Sequence, residues 1–360
     1  MKNSINIIEP TLISESGHCH SFIESLVNEY SNAKLIIWAD RKNQLEFNVH
    51  GNVEVIIKQY FFRKIRKIQS IFLYRKLLKL QEKILISTAN RTDLRLLNLL
   101  SKTPIPEARV FLFFHWINLN AKKIQQLKTI AARQPNVVIL APTETIAKDF
   151  INAGFKYVKI IPYPITKIQN KMEEKPIFKS VSFAGAARQD KGFSKVVDLL
   201  EYAEKKKLTI PFSIQTSADH YGKYDSQTES DILRLKQSTY PTLNLHHQTL
   251  SKKEYLNFFA GTICLQLYNA KDFADRISGV TLDALSLGTP IITISGTWMA
   301  RQVSRFNAGI VINSTSPAEV LLAIYKIKES YAQYCKNAGN AGQVLQKEHQ
   351  ALNLIKILGL

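Results

Sequence analysis

The chain has 360 residues, of which 45% are apolar, enough to fill two domain cores, and no apolar run approaches the ~18 residues that span a membrane. Its 48 Lys and Arg residues against 29 Asp and Glu give a net charge of +19. This charge favours an anionic partner such as a nucleic acid, an anionic membrane or a phosphorylated substrate, unless it only reflects a lysine-rich proteome. Three scattered cysteines exclude a disulfide framework and a zinc-binding cysteine pattern.

Short apolar runs alternate with helical patterns from the first residues onward. The opening run, MKNSINIIEPTLIS, is interrupted by Glu9 and Pro10, so we expect it to be a strand and not a signal peptide. We therefore expect a cytoplasmic protein. Seven strand candidates precede the middle of the chain and six follow it, among them AKLIIWA, KILIST, SVSFAGA and PIITIS. Continuously apolar strands separated by helices indicate parallel sheets covered on both faces. The sequence therefore predicts an α/β protein with two doubly wound, Rossmann-like domains.

The segment IIPYPITKIQNKMEEKP is the predicted domain boundary, because two prolines end a strand there and polar residues follow. We expect a first domain over 1–165, a second over 166–342, and a terminal helix over 343–360 that packs back on the first domain. Open α/β sheets bind ligands at the carboxyl ends of their strands. The expected site is therefore a cleft between the two domains.

Histidines follow two strands of the first half. EPTLISESGHCHSF predicts a strand, a turn led by Gly17 with His18 beside it, and then a helix, on which His20 is expected at the surface. VFLFFHWINLN places His115 directly after another strand. A histidine at such a position can serve a ligand or be a hydrogen-bonded structural residue.

The segment 58–83, KQYFFRKIRKIQSIFLYRKLLKLQEK, holds nine cations and one acid, with apolar residues at helical spacing. A basic amphipathic helix of this kind can lie on an anionic bilayer surface, which would make the protein peripheral on the cytoplasmic face of a membrane. The alternative is a solvated helix whose apolar stripe packs in the core. No nucleic-acid partner is expected, because no zinc module or basic aromatic platform accompanies the cations.

SFAGAARQDKGF, at 182–193, predicts a strand, a turn of small residues and the start of a helix. Gly185 and the alanines after it let a ligand approach the backbone, and Arg188 and Lys191 follow within one turn. A helix N-terminus with two nearby cations suits a diphosphate. The alternative is a solvated basic surface.

DRISGVTLDALSLGTP predicts a second anion site, because Arg276 directly precedes the start of a helix. The first amides of that helix have no partner within it; they belong to Ser278, Gly279 and Val280. Asp283, one turn further, would lie beside the anion and could accept hydrogen bonds from a ribose diol. Asp275 is eight residues earlier and belongs to the preceding loop.

Together these motifs resemble the C-terminal donor domain of GT-B glycosyltransferases, and in particular the "glycosyl transferases group 1" class. That class has a G-R-x-x-x-x-K-G turn, which Arg188 and Lys191 match, and a Glu-x7-Glu pair ending in E-A-x-x-x-G-x-P-V, where Asp275 and Asp283 stand here. The resemblance spans about residues 180–312. Both acids are shorter than the usual glutamates, and RISG replaces the usual G-F-G between them.

The resemblance implies a nucleotide-diphosphate sugar as co-substrate, with no other cofactor and no metal. It implies transfer to a glycan or lipid-linked saccharide, with retention of stereochemistry, in cell-surface polysaccharide or lipopolysaccharide synthesis. It assigns the diphosphate to the two basic motifs, the ribose to Asp283, the nucleobase to a helix start near Leu250, and the transferred sugar to Asp275. In the first domain it implies that the turn at Gly17 and His18 touches acceptor or diphosphate and that His115 lies near the donor sugar.

Two other functions stay open at this point. A GT-B sugar-nucleotide epimerase would bind the same donor, but it needs several carboxylates for proton chemistry, and the sequence does not show them. A non-catalytic basic protein could use the same residues only to hold an anion. No Ser-His-Asp triad, metal motif or phosphate-binding Walker loop is evident.

Overall fold

A computed structural model of the chain describes residues 3–15, 18–30, 32–49, 51–117, 119–168, 176–218 and 222–359. The chain divides into two compact units. One consists of Met1–Lys167 and Glu348–Leu360, and the other of Ile168–Lys347. Each unit has its own sheet and its own hydrophobic core.

The first unit is built on a parallel sheet of seven strands. The strands are β1 (Asn3–Ile8), β2 (Ala33–Asp40), β3 (Glu54–Phe61), β4 (Lys83–Ile86), β5 (Val110–Phe113), β6 (Val138–Ala141) and β7 (Tyr157–Ile160). Their order is β3-β2-β1-β4-β5-β6-β7, with Ile7 opposite both Ile37 and Leu85. The order reverses between β1 and β4, so ligand sites are expected at the carboxyl ends of these two strands.

The helices of the first unit cover both faces of its sheet. They are α1 (His18–Glu29), α2 (Arg66–Lys79), α3 (Arg91–Leu100), α4 (Ala121–Arg133) and α5 (Glu144–Asn152). Side chains cap several of them: Asn90 accepts from the Thr92 amide at α3, and Thr143 accepts from the Ile146 amide at α5. Because β5 and β6 are buried along their whole length, their sequences are apolar throughout.

The second unit is built on a parallel sheet of six strands. The strands are β8 (Ser180–Phe183), β9 (Phe212–Gln215), β10 (Leu243–His246), β11 (Thr262–Gln266), β12 (Ile291–Ile294) and β13 (Gly309–Ile312). Their order is β10-β9-β8-β11-β12-β13, which reverses between β8 and β11. All thirteen predicted strands correspond to strands of the structure, and the prediction of two doubly wound parallel-sheet domains is confirmed.

A short 3-10 turn, Gln189–Lys191, precedes the first helix of the second unit. The helices are α6 (Phe193–Lys205), α7 (Ser226–Gln237), α8 (Lys252–Phe258), α9 (Ala270–Phe273), α10 (Gly279–Ser286), α11 (Trp298–Phe306), α12 (Pro317–Glu329) and α13 (Tyr331–Glu348). None of the helices in the described part of the chain is long and apolar enough to cross a membrane.

The last helix, α14 (Ala351–Leu358), belongs to the first unit and packs against α1. The Lys83 ammonium donates to the carbonyls of Leu358 (2.5 Å) and Gly359 (2.8 Å) and so closes its C-terminus. The chain returns to the first unit at Glu348, not at 343, since α13 continues unbroken through that position.

Candidate functional site

The turn after β8 lets other groups come close to its backbone. Gly185 has a φ of +92°, which L residues rarely adopt, and its amide donates to Gln215 Oε1 at 2.7 Å. A Cβ at Gly185 would lie 2.8 Å from Lys191 Nζ and 3.4 Å from a methyl group of Val280. Glycine therefore lets the Lys191 ammonium and the start of α10 meet the turn.

Arg188 and Arg276 share one carboxylate, that of Asp190. Arg188 donates to it through both Nε, at 2.8 Å, and one terminal nitrogen, and Arg276 Nη1 lies 3.5 Å from Asp190 Oδ2. All three side chains are partly buried. An open cavity of about 370 Å³ lies beside Arg188, lined by Ala187–Asp190 and Lys223–Asp225. The structure thus brings both predicted basic motifs together, with an acid that the sequence reasoning missed.

Lys191 completes this group, which we call the cation cluster: Arg188, Lys191 and Arg276. Its ammonium lies 5.9 Å from the ring centre of Tyr268, which follows β11, so the cluster lies where the strand order reverses. Burial, helped by Arg188 and Arg276, lowers the pKa of Lys191 to about 8, and Asp190 acts in the opposite direction. Lys191 is therefore a cation whose charge changes close to physiological pH.

The start of α10 adds amide donors. Ser278 is the N-cap, and its hydroxyl accepts from the Thr281 amide at 3.4 Å. Apart from its chain neighbours and the backbone of α10, no atom of the described residues comes within 4 Å of a Cβ built on Gly279, so the space in front of this residue is open. Since Val280 lies against the Gly185 turn, the helix N-terminus and the cation cluster border the same space.

Asp283 lies in α10 one turn beyond these amides. It accepts a hydrogen bond from the Tyr255 hydroxyl to Oδ2 at 3.1 Å, and burial raises its pKa to about 6. Tyr255 lies on α8, whose N-cap, Ser251, directly follows Leu250. Helix α8 thus joins Asp283, which is predicted to bind the ribose, to the segment at Leu250, which is predicted to bind the nucleobase.

Asp275 lies apart from these contacts. Its carboxylate pairs with Arg301 of α11 at 2.9 Å, and it belongs to the loop between α9 and α10, as the spacing predicted. Arg276, the next residue, points its guanidinium to Asp190 and over the Phe273 ring at 4.8 Å.

A buried acid, Asp231, holds the 3-10 turn through hydrogen bonds. Asp231 of α7 is inaccessible to solvent, and its Oδ2 lies 2.5 Å from Ser194 Oγ and 3.0 Å from Gln189 Nε2. Burial raises the pKa of Asp231, but hydrogen bonds, that of Ser194 first, outweigh burial and lower it. Because Gln189 is the first residue of the turn, this network fixes the backbone between Arg188 and Lys191.

In the first unit, polar groups meet at the carboxyl ends of β1, β4 and β5. Glu9 is fully buried and accepts from Ser87 Oγ at 2.8 Å and Thr11 Oγ1 at 2.6 Å. His115 Nε2 lies 2.8 Å from the Ser87 carbonyl oxygen. Since a carbonyl oxygen only accepts, the Nε2 atom carries the proton. The Glu9 carboxylate is a further polar group that sequence reasoning missed.

The other two sites predicted in this unit lie at the start of α1. Gly17 lies outside the described residues, and His18 is described only by its backbone, as the first residue of α1. The expectation that His20 is a surface residue is wrong, because its side chain is buried. Phe47, from the segment between β2 and β3, stacks on the His20 ring at 5.6 Å and covers it.

Segment 58–83 contains the end of β3, a turn and α2, so only Arg66–Lys79 of the predicted helical segment is helix. Leu73, Tyr74 and Leu77 of α2 are buried in the core. A second set of apolar side chains stays exposed, and Ile68 and Phe72 are 56% and 65% accessible. We call the exposed set, with its neighbouring cations, the basic apolar surface: Phe62, Arg63, Lys64, Ile65, the half-buried Arg66, Lys67, Ile68, Phe72, Arg75, Lys76 and Lys79.

No metal centre is evident in the described ranges, which hold no group of three or more His, Cys, Asp or Glu side chains that could bind a metal ion. The groups that border the candidate site in the second unit are three cationic side chains and a set of backbone amides, which can bind an anion.

Comparison of the sequence with described protein families and with curated proteins finds no match. Several solved structures match almost the whole chain. HepE from Anabaena, in complex with UDP-glucose, gives a TM-score of 0.66 at 12% identity over 99% of this chain and 98% of that one. Sucrose-phosphate synthase from Thermosynechococcus elongatus gives 0.67 at 11% identity over 99% and 96%.

WaaG, a glycosyltransferase involved in lipopolysaccharide biosynthesis, gives a TM-score of 0.62 at 13% identity over 98% of both chains. At this level of identity the likeness establishes a common fold. The chain therefore has the GT-B fold that its motifs predicted.

Proposed function

We propose that the protein is a nucleotide-sugar-dependent glycosyltransferase of the hexosyltransferase type. The observation that carries this proposal is the spacing of two groups in the second unit. The cation cluster and the first amides of α10 border one space, and Asp283 lies one helical turn away. A nucleoside diphosphate presents its diphosphate and its ribose at a similar spacing. The UDP-glucose bound to HepE supports a donor of this class.

In the proposed reaction, negative charge grows on the leaving diphosphate as the bond to the sugar breaks. Arg188, Lys191 and Arg276 are placed to stabilise that charge, and the amides of residues 278–280 add the positive end of a helix dipole. The side chains themselves supply the positive charge, so we propose a metal-independent reaction. Retention of stereochemistry is proposed from the sequence resemblance alone.

The remaining residues are assigned from the same resemblance. Asp275 is proposed to lie beside the transferred sugar and Leu250 beside the nucleobase. In the first unit, His18 and the turn at Gly17 are proposed to contact the acceptor or the diphosphate, and His115 the donor sugar. The hydrogen bond from His115 to Ser87 fixes its tautomer and ring, which suits a positioning role. The acceptor is proposed to be a glycan or lipid-linked saccharide of cell-surface polysaccharide or lipopolysaccharide synthesis.

A binding screen followed by product analysis tests the proposal. A ligand at 100 times its dissociation constant stabilises a protein by about 2.7 kcal/mol, so a panel of nucleotide sugars should raise the melting temperature measurably. The donor that binds is then incubated without acceptor, and slow release of free sugar and nucleoside diphosphate is expected. Stabilisation without any release would favour a non-catalytic anion-binding protein. Release of a sugar with inverted configuration at a ring carbon would favour the epimerase.

We further propose that the basic apolar surface docks the protein on the cytoplasmic face of an anionic membrane. Ile68 and Phe72 are exposed although they are apolar, and they stand among cations such as Lys67 and Arg75. The sequence holds eight cations and no acid between residues 55 and 81. On an anionic membrane the apolar side chains would enter the boundary of the bilayer and the cations would face the lipid phosphates. Both sets of residues would then contribute to docking. This location would bring the enzyme to a lipid-linked acceptor.

A further inference from the structure

Asp190 is an acid that contacts two members of the cation cluster, Arg188 and Arg276. Its carboxylate takes two of the five N–H donors of the Arg188 guanidinium, one on Nε and one on a terminal nitrogen, and lies 3.5 Å from Arg276 Nη1. These are the positions that a phosphate would use on the same guanidinium groups. Asp231 and Ser194 hold Gln189, the residue between Arg188 and Asp190, so the carboxylate is fixed in place with its backbone.

The charges of the site can be counted. Around the diphosphate, Arg188 and Arg276 are charged and Lys191 is mostly charged at neutral pH, which gives about three positive charges, and Asp190 removes one, which leaves about two. A nucleotide sugar carries one negative charge on each of its two phosphates. A nucleoside diphosphate ends in a free phosphate with a second pKa of about 6, so at pH 7.5 it carries about one more negative charge. The cation cluster with Asp190 therefore matches the charge on the diphosphate of the nucleotide sugar and not that of the product.

We propose that Asp190 is a specificity-determining residue that selects the nucleotide sugar over the nucleoside diphosphate. This inference rests on the proposed function. An acid beside the diphosphate repels every anionic ligand, but it repels the more highly charged one more strongly, and specificity is the difference between the two affinities. The carboxylate would thereby promote product release, because the nucleoside diphosphate left after transfer carries an additional negative charge and is repelled more strongly by Asp190.

The test compares Asp190→Asn with the unaltered protein by calorimetric titration at pH 7.5 and about 0.15 M salt. Asparagine keeps the shape and an acceptor for Arg188 and removes the charge. The probes are UDP-glucose, UDP and inorganic pyrophosphate. Asp272→Asn is the matched control, because Asp272 is an exposed acid of the same unit that acts on Arg276 only through its field.

We expect Asp190→Asn to bind UDP and pyrophosphate about tenfold more tightly, since a unit charge a few ångströms away in a partly buried site has an effect of this order. UDP-glucose should gain clearly less, and Asp272→Asn should change the ratio of UDP to UDP-glucose affinity by less than about twofold. In assays of transfer, the Asp190 variant should show stronger inhibition by UDP.

Equal changes for UDP and UDP-glucose, or weaker binding of both, would overturn the proposal and make Asp190 a residue that merely orients Arg188. If neither uridine nucleotide binds to the unaltered protein, the nucleotide sugar that binds in the panel and its nucleoside diphosphate take their place, and the proposed function is contradicted in its donor if no nucleotide sugar binds. Pyrophosphate then still decides the charge relation: tighter binding by Asp190→Asn upholds it, and unchanged or weaker binding overturns it.

Discussion

The Tyr255 hydroxyl donates a hydrogen bond to Asp283 Oδ2 at 3.1 Å, and this bond joins α8 to α10. Tyr255 is itself largely buried, and burial raises its pKa well above the usual value, with Asp283 adding to the shift. Tyr255 therefore stays a neutral donor at every physiological pH. One oxygen of Asp283 is held by the protein, and the carboxylate is aligned for a second set of donors.

Asp283→Asn is the first prediction. The pKa of Asp283 is raised from 3.8 to about 6, so the folded state binds a proton more tightly than the unfolded state. Stability is then lost as pH rises from about 4 to 6, and the ionised form is a cost at pH 7.5. Asparagine keeps an acceptor for Tyr255 and removes the charge. We expect the unliganded variant to be more stable by about 1–2 kcal/mol at pH 7.5 in thermal or denaturant unfolding.

The same variant should lose affinity for the ribose. A carboxylate that accepts two hydroxyl protons should matter for a nucleoside diphosphate and not for pyrophosphate, so the ratio of the two affinities should fall by about tenfold or more. If Asp283 only complements the helix dipole, the variant should instead lose about 0.3–1 kcal/mol of stability and keep the ratio. The structure places Asp283 beyond the first turn of α10, where that dipole effect is already small.

A second prediction concerns pH. Asp283 must be ionised to accept both ribose protons, so affinity should fall below about pH 6. Lys191 must be charged to hold a phosphate, and its pKa is lowered to about 8, so affinity should also fall above that pH. A nucleotide sugar is the suitable ligand, because its phosphates do not titrate in this range. The expected profile of affinity against pH is bell-shaped.

Two variants identify the limbs of this profile. Asp283→Asn should remove the acid limb, and Lys191→Arg should remove the alkaline limb, since a guanidinium stays charged. An acid limb that persists in the asparagine variant would assign it to another group. The measurement is the dissociation constant between pH 5 and 9.5 at constant ionic strength.

The third prediction is that Arg188→Ala weakens binding of a nucleoside diphosphate by about 1.5–3 kcal/mol, the effect of a lost charge-assisted hydrogen bond. Arg188→Lys should lose less, because it keeps the charge but not the two-pronged geometry. Lys195→Ala is the control, since it removes an exposed cation at the start of α6, next to the same turn. Unchanged affinity in folded Arg188→Ala would place the diphosphate elsewhere.

The sequence was sufficient to predict the strands because both sheets are parallel and covered. A strand buried on both faces is apolar at every position, as in β5 and β6, and this signal is local. The nearness of Arg188 and Lys191 was predictable for the same reason, because both lie on one short turn. The meeting of that turn with α10 followed only from the order of motifs in a known family.

Contacts between distant segments were not predictable. Asp190 stands 86 residues before Arg276, and Tyr255 stands 28 before Asp283, so neither pair leaves a periodic signal in the sequence. His20 was expected at the surface because the ring that covers it, Phe47, comes from an irregular segment. The position where the chain returns to the first unit was placed too early, since nothing in the composition of α13 marks it.

The last prediction concerns the basic apolar surface and uses two variants. Replacing Arg63, Lys64, Arg66 and Lys67 by Gln removes four cations, each worth about 1 kcal/mol near an anionic bilayer, so vesicle affinity should fall by at least about a hundredfold. Replacing Ile68 and Phe72 by Ser removes the side chains proposed to enter the bilayer, and we expect a comparable loss. Both side chains are largely exposed, so this double variant should unfold at the same temperature as the unaltered protein.

The control is four exposed cations of the same unit changed to Gln: Lys122, Lys128, Arg133 and Lys156. It has the same net charge as the first variant, so it separates a local surface from the overall charge of +19. Co-sedimentation with vesicles of anionic and of neutral lipid, at about 0.15 M salt, is the measurement. The unaltered protein and the control should sediment with anionic vesicles, and the other two should stay in solution with nucleotide binding intact.

If all four proteins sediment alike, the charge acts as a whole and this surface has no special part in docking. If only the cation variant is released, Ile68 and Phe72 do not enter the bilayer, and their exposure has another cause.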